Sequence, residues 1–174
     1  MIVYANGSRK TGTHLLHRCL SLFDGVLAVH QHIPFGAVVT HSHVHIVRNP
    51  RNVLLSWSRE KNIALSSCMD DVVASMTAFE GWLTDPDVHT VRFEELLTDE
   101  AIIAGIGVFI GKAVAVDHNK RMWGGTKTFT GDLSDWTSVW TSQLDSAWGA
   151  YGGHVLESNY GYDPANETWM RPVP

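Results

Sequence analysis

The sequence predicts an α/β protein in three layers: a central parallel sheet with helices on both faces. Three observations carry this. The chain opens on an apolar run, Ile2-Val3-Tyr4-Ala5, that passes through a Gly-rich stretch into the helical pattern Leu15-Leu16-His17-Arg18-Cys19-Leu20. Strand-like and helix-like segments then alternate, as parallel sheets with helical crossovers require. No repeat or low-complexity tract interrupts them, and 174 residues suit one domain over 1–174 with a core of its own.

The first strand is expected at 2–5 and the first helix from about Thr13 to Phe23. Val26-Leu27-Ala28-Val29 reads as a short second strand and Val44-His45-Ile46-Val47 as a third. Asn49 and Pro50 then suit the cap and first turn of a helix carrying Val53, Leu54, Leu55 and Ser56. Asp70 and Asp71 begin another, with Val72, Val73, Met76, Phe79 and Leu83 at helical spacing. Val88 to Phe93 is a strand, and Asp99 caps a helix that Gly111 ends after Ile110. From Val116 to Trp136 the pattern fades into a Gly/Thr-rich loop. Two helical segments follow, Ser142–Tyr151 and Val155–Tyr160, and the tail after Asp163 is irregular.

A net charge of −5 speaks against nucleic acid as a partner, since polyanions select basic surfaces. Two cysteines, Cys19 and Cys68, are too few for a disulfide framework and fit a reducing, cytoplasmic setting. No stretch approaches the roughly 20 apolar residues of a membrane span, and no export signal is expected.

The first loop, Asn6-Gly7-Ser8-Arg9-Lys10-Thr11-Gly12-Thr13-His14, aims backbone N–H groups and a helix N-terminus at one spot, which favours an anion such as phosphate. Gly7 and Gly12 have the spacing of a nucleotide-triphosphate loop, but Thr13 stands where that loop has its Lys, and Lys10 precedes the second Gly. Taken alone, the segment reads equally well as an ordinary strand-to-helix turn. The second constellation is Arg48-Asn49-Pro50-Arg51-Asn52-Val53-Leu54-Leu55-Ser56. It places Arg48 at the C-terminal end of a strand, the edge where open α/β sheets bind ligands.

Together these segments resemble the sulfotransferases that use 3′-phosphoadenosine 5′-phosphosulfate (PAPS) and release its desulfated form, PAP. Arg9-Lys10-Thr11-Gly12-Thr13-His14-Leu15-Leu16 is similar to that family's P-K-S-G-T-T-W-L, and Arg48 to Ser56 to its R-N-P-x-D-x-x-x-S. Arg92-Phe93-Glu94-Glu95-Leu96 resembles R-Y-E-D-L, and Gly131 to Trp136 resembles G-x-x-G-D-W. Leu156 to Tyr162 resembles the terminal L…L-G-Y helix. The motifs run in family order from about residue 2 to about residue 163.

The resemblance implies a phosphate-type loop for the 5′-phosphosulfate. Lys10 would stabilise charge on the bridging oxygen, and the backbone of Thr11, Gly12, Thr13 and His14 would cradle the 5′-phosphate. Arg48 and Ser56 would hold the 3′-phosphate. Arg9 and Phe93 complete the implied nucleotide-binding set, Phe93 keeping the ring of the family's Tyr without its hydroxyl. His30-Gln31-His32-Ile33-Pro34 is similar to the family's K-T-H-L-P, which makes His32 the implied general base, with His30 and His14 as lesser candidates.

The implied acceptor is a small molecule or glycan with a hydroxyl or amine, and the implied chemistry needs no metal. There are departures. Leu15 replaces a Trp, and Phe129-Thr130-Gly131 lacks an Arg for which Lys127 or Lys120 would have to substitute. Rival readings are an ATP-dependent kinase or NTPase, with Asp117 at a strand end, and a non-catalytic nucleotide-binding relic.

His41, His43 and His45 alternate along one strand face, and structural or surface roles are expected for them over a metal site. Of the seven tryptophans, Trp57, Trp82 and Trp148 sit in helical patterns and are expected in the core. Trp123 and Trp136 would either border the nucleotide or acceptor or pack in the core.

Overall fold

A computed structural model of the protein describes residues 1–113 and 136–162. Asp117, Lys120, Trp123, Lys127, Phe129 to Asp135 and the tail from Asp163 lie outside the described residues. Among the described residues four strands, β1 (Ile2–Asn6), β2 (Leu27–His30), β3 (Ser42–Val47) and β4 (Val88–Arg92), form one sheet in the order β2-β1-β3-β4. Every pairing is parallel. The helices are α1 (Thr13–Leu20), α2 (Pro50–Lys61), α3 (Met69–Thr77), α4 (Phe93–Thr98), α5 (Glu100–Ile110), α6 (Ser142–Ala150) and α7 (Gly153–Asn159).

Alternation along the strands sorts side chains to two faces. Val3, Ala5, Val44, Ile46 and Val91 point one way and pack with Leu16, Cys19 and Leu20 of α1, Leu96 of α4, and Ile103 and Ile106 of α5. Val47 joins the second core, which lies on the opposite face with Val53, Leu54 and Trp57 of α2, Met69, Val72 and Met76 of α3, Trp148 of α6 and Leu156 of α7. Helices on both faces give the three layers that the sequence predicts. Trp57, Trp82 and Trp148 are buried, as expected of core residues. Both cysteines are buried free thiols. Among the described residues no helix is long and apolar enough to cross a membrane.

Capping fixes the helix starts that matter for the site. The Asn49 side chain accepts from the Arg51 and Asn52 N–H groups at 2.8 and 3.3 Å, with Pro50 following at the first helical position. Asp99 accepts from Ala101, and Gly111 ends α5 in the left-handed region at φ 66°. Elsewhere the boundaries depart from the sequence reading. α1 stops at Leu20, because the Leu22 and Phe23 N–H groups turn to the tighter i−3 carbonyls of Cys19 and Leu20. α3 ends at Thr77, short of Phe79 and Leu83, and a 3-10 turn over Glu80–Leu83 follows. That turn aims Trp82 at His43, 4.6 Å between ring centroids, while Phe79 stacks over His45. Phe93 closes no strand; it opens α4, a six-residue helix too short for its periodicity to show.

His43 and His45 occupy the β3 face that meets these aromatics, and both are buried. Among the described residues none of their four ring nitrogens has a hydrogen-bond partner, nor has the buried Thr90 hydroxyl, whose strand position pairs with His45. Burial pushes His43 down to about 4 against an opposing pull from Asp85. Burial, reinforced by His43, pushes His45 down to about 3. They are core side chains, as the sequence reading expects, whereas exposed His41 precedes the strand.

Candidate functional site

The loop between β1 and α1 lies at the C-terminal edge of the sheet. Its two glycines are there for space. A Cβ on Gly7 would meet the Ile46 carbonyl at 2.6 Å, and one on Gly12 would meet the Phe93 ring at 2.3 Å. Gly12 also takes φ 104° as the residue capping α1, a conformation that L side chains rarely adopt. Thr11 turns its hydroxyl inward to donate to the Ser8 carbonyl at 2.7 Å, which closes the loop. The loop thus wraps tightly around a backbone path ending at the α1 N-terminus.

Lys10 sits at φ 67°, an uncommon state for a non-glycine residue. Its carbonyl accepts from Arg48 Nη1 at 3.2 Å. Its ammonium pairs with Glu60 near the end of α2, Nζ to Oε1 2.6 Å. Arg48, only 7% exposed, lies over the Phe93 ring at 4.3 Å. Burial lowers its pKa and Glu94 opposes that shift, yet a guanidinium stays charged. Phe93 is therefore a wall shared by the loop and Arg48: it fills the space beside Gly12 and carries the guanidinium on its face. Arg9 is exposed, His14 stands exposed in the first turn of α1, and Ser56 is half-buried about two turns into α2.

Glu94 braces this edge. One carboxylate oxygen accepts from the Asn49 N–H at 3.0 Å, the other from the Tyr162 hydroxyl at 2.8 Å. Arg51 does the same for the C-terminal helices. Its guanidinium is buried, forks onto Glu157 of α7, reaches Asp145 of α6 at 3.1 Å, and lies between the Trp136 and Trp140 rings at 4.4 and 4.6 Å. Trp136 is thus a packing partner of Arg51.

The second half of the site follows β2. Four histidines gather there: His14 and His17 on α1, His30 ending β2, and His32 beyond it. His14 and His30 stack at 4.2 Å with 9° between planes, and His32 meets His30 edge-on at 4.9 Å. His30 Nε2 lies 2.8 Å from Thr13 Oγ1, and His17 Nε2 donates to the Ala28 carbonyl at 3.2 Å. Burial pushes His30 down to about 4, helped by His14, His32 and His17. His14 is lowered first by burial, then by His32, His17 and Lys10.

His32 itself is exposed, with Nδ1 2.7 Å from the Gly7 carbonyl. A carbonyl only accepts, so Nδ1 carries a proton and Nε2 is the nitrogen turned away from this contact. The next residue is clamped. Asn6 at the end of β1 accepts from the Ile33 N–H at 2.7 Å and donates to its carbonyl at 2.9 Å, and Trp82 Nε1 donates to the same carbonyl. Among the described residues no group of three or more His, Cys, Asp or Glu could hold a metal ion.

No protein-family model matches the chain, and no curated protein sequence does. Solved structures do. A mouse sulfotransferase, SULT7A1 complexed with PAP, superposes at TM-score 0.68 with 13% identity, over 92% of this chain and 88% of that one. Retinol dehydratase, in complex with androsterone and the inactive cofactor PAP, superposes at TM-score 0.67 with 12% identity, over 95% and 83%. The chain has the sulfotransferase fold.

Within this sulfotransferase fold, the structure brings Lys10, Thr11, Gly12, Thr13, His14, Arg48, Phe93 and His32 to one edge of the sheet, as the motif order implies. Sequence reasoning missed Glu60 as the partner of Lys10 and Glu94 as the brace of the Asn49 backbone. Glu60 follows Ser56 by one helical turn, so helical spacing already placed it on the face of that candidate. Nothing in the sequence signalled the Glu94–Asn49 contact.

Proposed function

We propose that the protein transfers a sulfuryl group from PAPS to a hydroxyl or amine of a small-molecule or glycan acceptor, in the cytoplasm. The observation that supports this most is the hydrogen bond from buried Arg48 to the Lys10 carbonyl. It joins the two motif cations, 38 residues apart, across the mouth of one loop. The residues fit the donor. The glycine-lined turn and the α1 N-terminus suit its 5′-phosphate, and a guanidinium held on Phe93 suits a second phosphate. PAPS supplies the activated sulfuryl group, whose sulfur–oxygen bond to the 5′-phosphate breaks as the acceptor oxygen or nitrogen attacks sulfur.

The protein's part is positioning and charge. His32 Nε2, turned away from the Gly7 contact, takes the acceptor's proton. Lys10 leaves Glu60 to stabilise the negative charge that collects on the bridging oxygen, and the loop N–H groups share that charge. Arg48, with Ser56, anchors the nucleotide's 3′-phosphate, and His14 and Arg9 border the 5′ end. Placement of the reacting groups supplies the rest, as in phosphoryl transfer.

Calorimetric titration with PAP and with ATP tests the proposal. Binding of PAP in the micromolar range without magnesium, and weaker binding of ATP, is expected. Failure to bind PAP at high micromolar concentration would exclude it.

A further inference from the structure

We propose that His30 is a positioning residue that turns the Thr13 hydroxyl proton toward the donor's 5′-phosphate; the inference rests on the sulfuryl-transfer reading above. His30 is not available as a base in the way His32 is. Its ring is half-buried at the end of β2, held in register opposite Ala5. His14 covers one face at 4.2 Å, and His32 abuts it edge-on. Its Nε2 is committed to Thr13 at 2.8 Å.

Thr13 is the first residue of α1, 3% exposed, and its hydroxyl has one proton to give. If His30 Nε2 accepted that proton, the hydroxyl would turn a lone pair toward any anion in the loop, which is repulsive. If Nε2 carries a proton and donates, the Thr13 proton is left for the anion. A phosphate in the loop therefore selects the Nε2–H form of His30. Burial keeps this ring neutral, so the choice is between tautomers rather than charge states. His30 thereby links the donor loop to the base: one side chain touches Thr13, His14 and His32.

The test uses PAP as probe on the whole protein. His30→Phe, which keeps an aromatic ring and removes the N–H, should weaken PAP binding about tenfold, the scale of one hydrogen bond to a charged group. His30→Gln, whose amide N–H reaches the same place, should restore binding to within about threefold of the parent. Thr13→Val should lose as much as His30→Phe, and combining the two should add little, because both remove one chain of contacts. Nitrogen NMR of the PAP complex should show His30 protonated at Nε2.

Equal PAP binding by His30→Phe and the parent overturns the inference. So does failure of Gln to rescue, or full additivity with Thr13→Val. Should His30→Phe not fold, an Nδ1–H tautomer in the complex overturns it just as well. A parent protein that ignores PAP overturns the proposed function, and this inference with it. PAP binding that His30 does not influence overturns the inference alone.

Discussion

Lowering the pH should cost this protein a large part of its stability before its carboxylates titrate, and buried His43 and His45 are a principal reason. Both rings are buried against Trp82 and Phe79, and all four nitrogens lack a partner among the described residues. Burial holds them at about 4 and about 3 in the folded state, below the ordinary 6.5. Between those values the unfolded chain binds protons that the folded chain refuses, so this part of the stability is present above pH 6.5 and lost as the pH falls. By about pH 5 each ring has cost about 2 kcal/mol, and the pair about 4, out of a typical 5–15 kcal/mol.

Urea unfolding at about pH 7.5 and about pH 5 reads this directly. The substitution that isolates the cause is His43→Leu with His45→Leu. It removes the two titrating groups and also four unsatisfied nitrogens, so stability at neutral pH should hold or rise. The slope against pH should flatten, leaving the contribution of His30, which burial also holds at about 4, and those of His14 and His89, which burial also lowers. A double variant with the parent's full loss between the two pH values would refute the reasoning. So would a parent equally stable at both.

Other expectations concern the site and its bracing. Arg48→Ala should weaken PAP binding by about 10- to 100-fold, the range for a lost charge-assisted hydrogen bond, whereas Lys10→Ala should mainly slow turnover; calorimetry and initial rates separate the two. Glu60→Gln should release Lys10 and tighten PAP binding by up to about fivefold, because an exposed ion pair is worth at most about 1 kcal/mol, and the gain should shrink in high salt. Arg51→Ala should destabilise by about 3–5 kcal/mol in urea by leaving Glu157 buried without its partner, and Arg51→Met with Glu157→Leu should recover most of it.

The sequence was legible wherever a local rule sufficed. Asn49 with Pro50, and Asp99 with Gly111, are capping chemistry within a few residues; α2 begins, and α5 begins and ends, where expected. The loop glycines were legible for the same reason. What local rules could not supply is partnership across the fold. Glu60 meets Lys10 from the far end of α2, Glu157 meets Arg51 from 106 residues away, and Thr13 meets His30 only after β2 pairs with β1. The extent of α3 failed for a related reason. Phe79 keeps helical spacing with Met76, but packing over His45 outweighs continuation of the helix.

The Asn6 clamp on Ile33 has a consequence for how such a site can change. A primary amide sets an N–H donor beside a carbonyl acceptor in one plane, the same pairing that a peptide unit presents to a neighbouring strand. Asn6 thus extends the sheet by one side chain past the end of β1, and His32 beside Ile33 inherits the rigidity of a strand while sitting in a loop. Gly36 sits in open space among the described residues: its φ is 89°, and a Cβ there would meet nothing within 4 Å. Residues 36–41 can lengthen or change character while His32 keeps its place beside the β1–α1 loop.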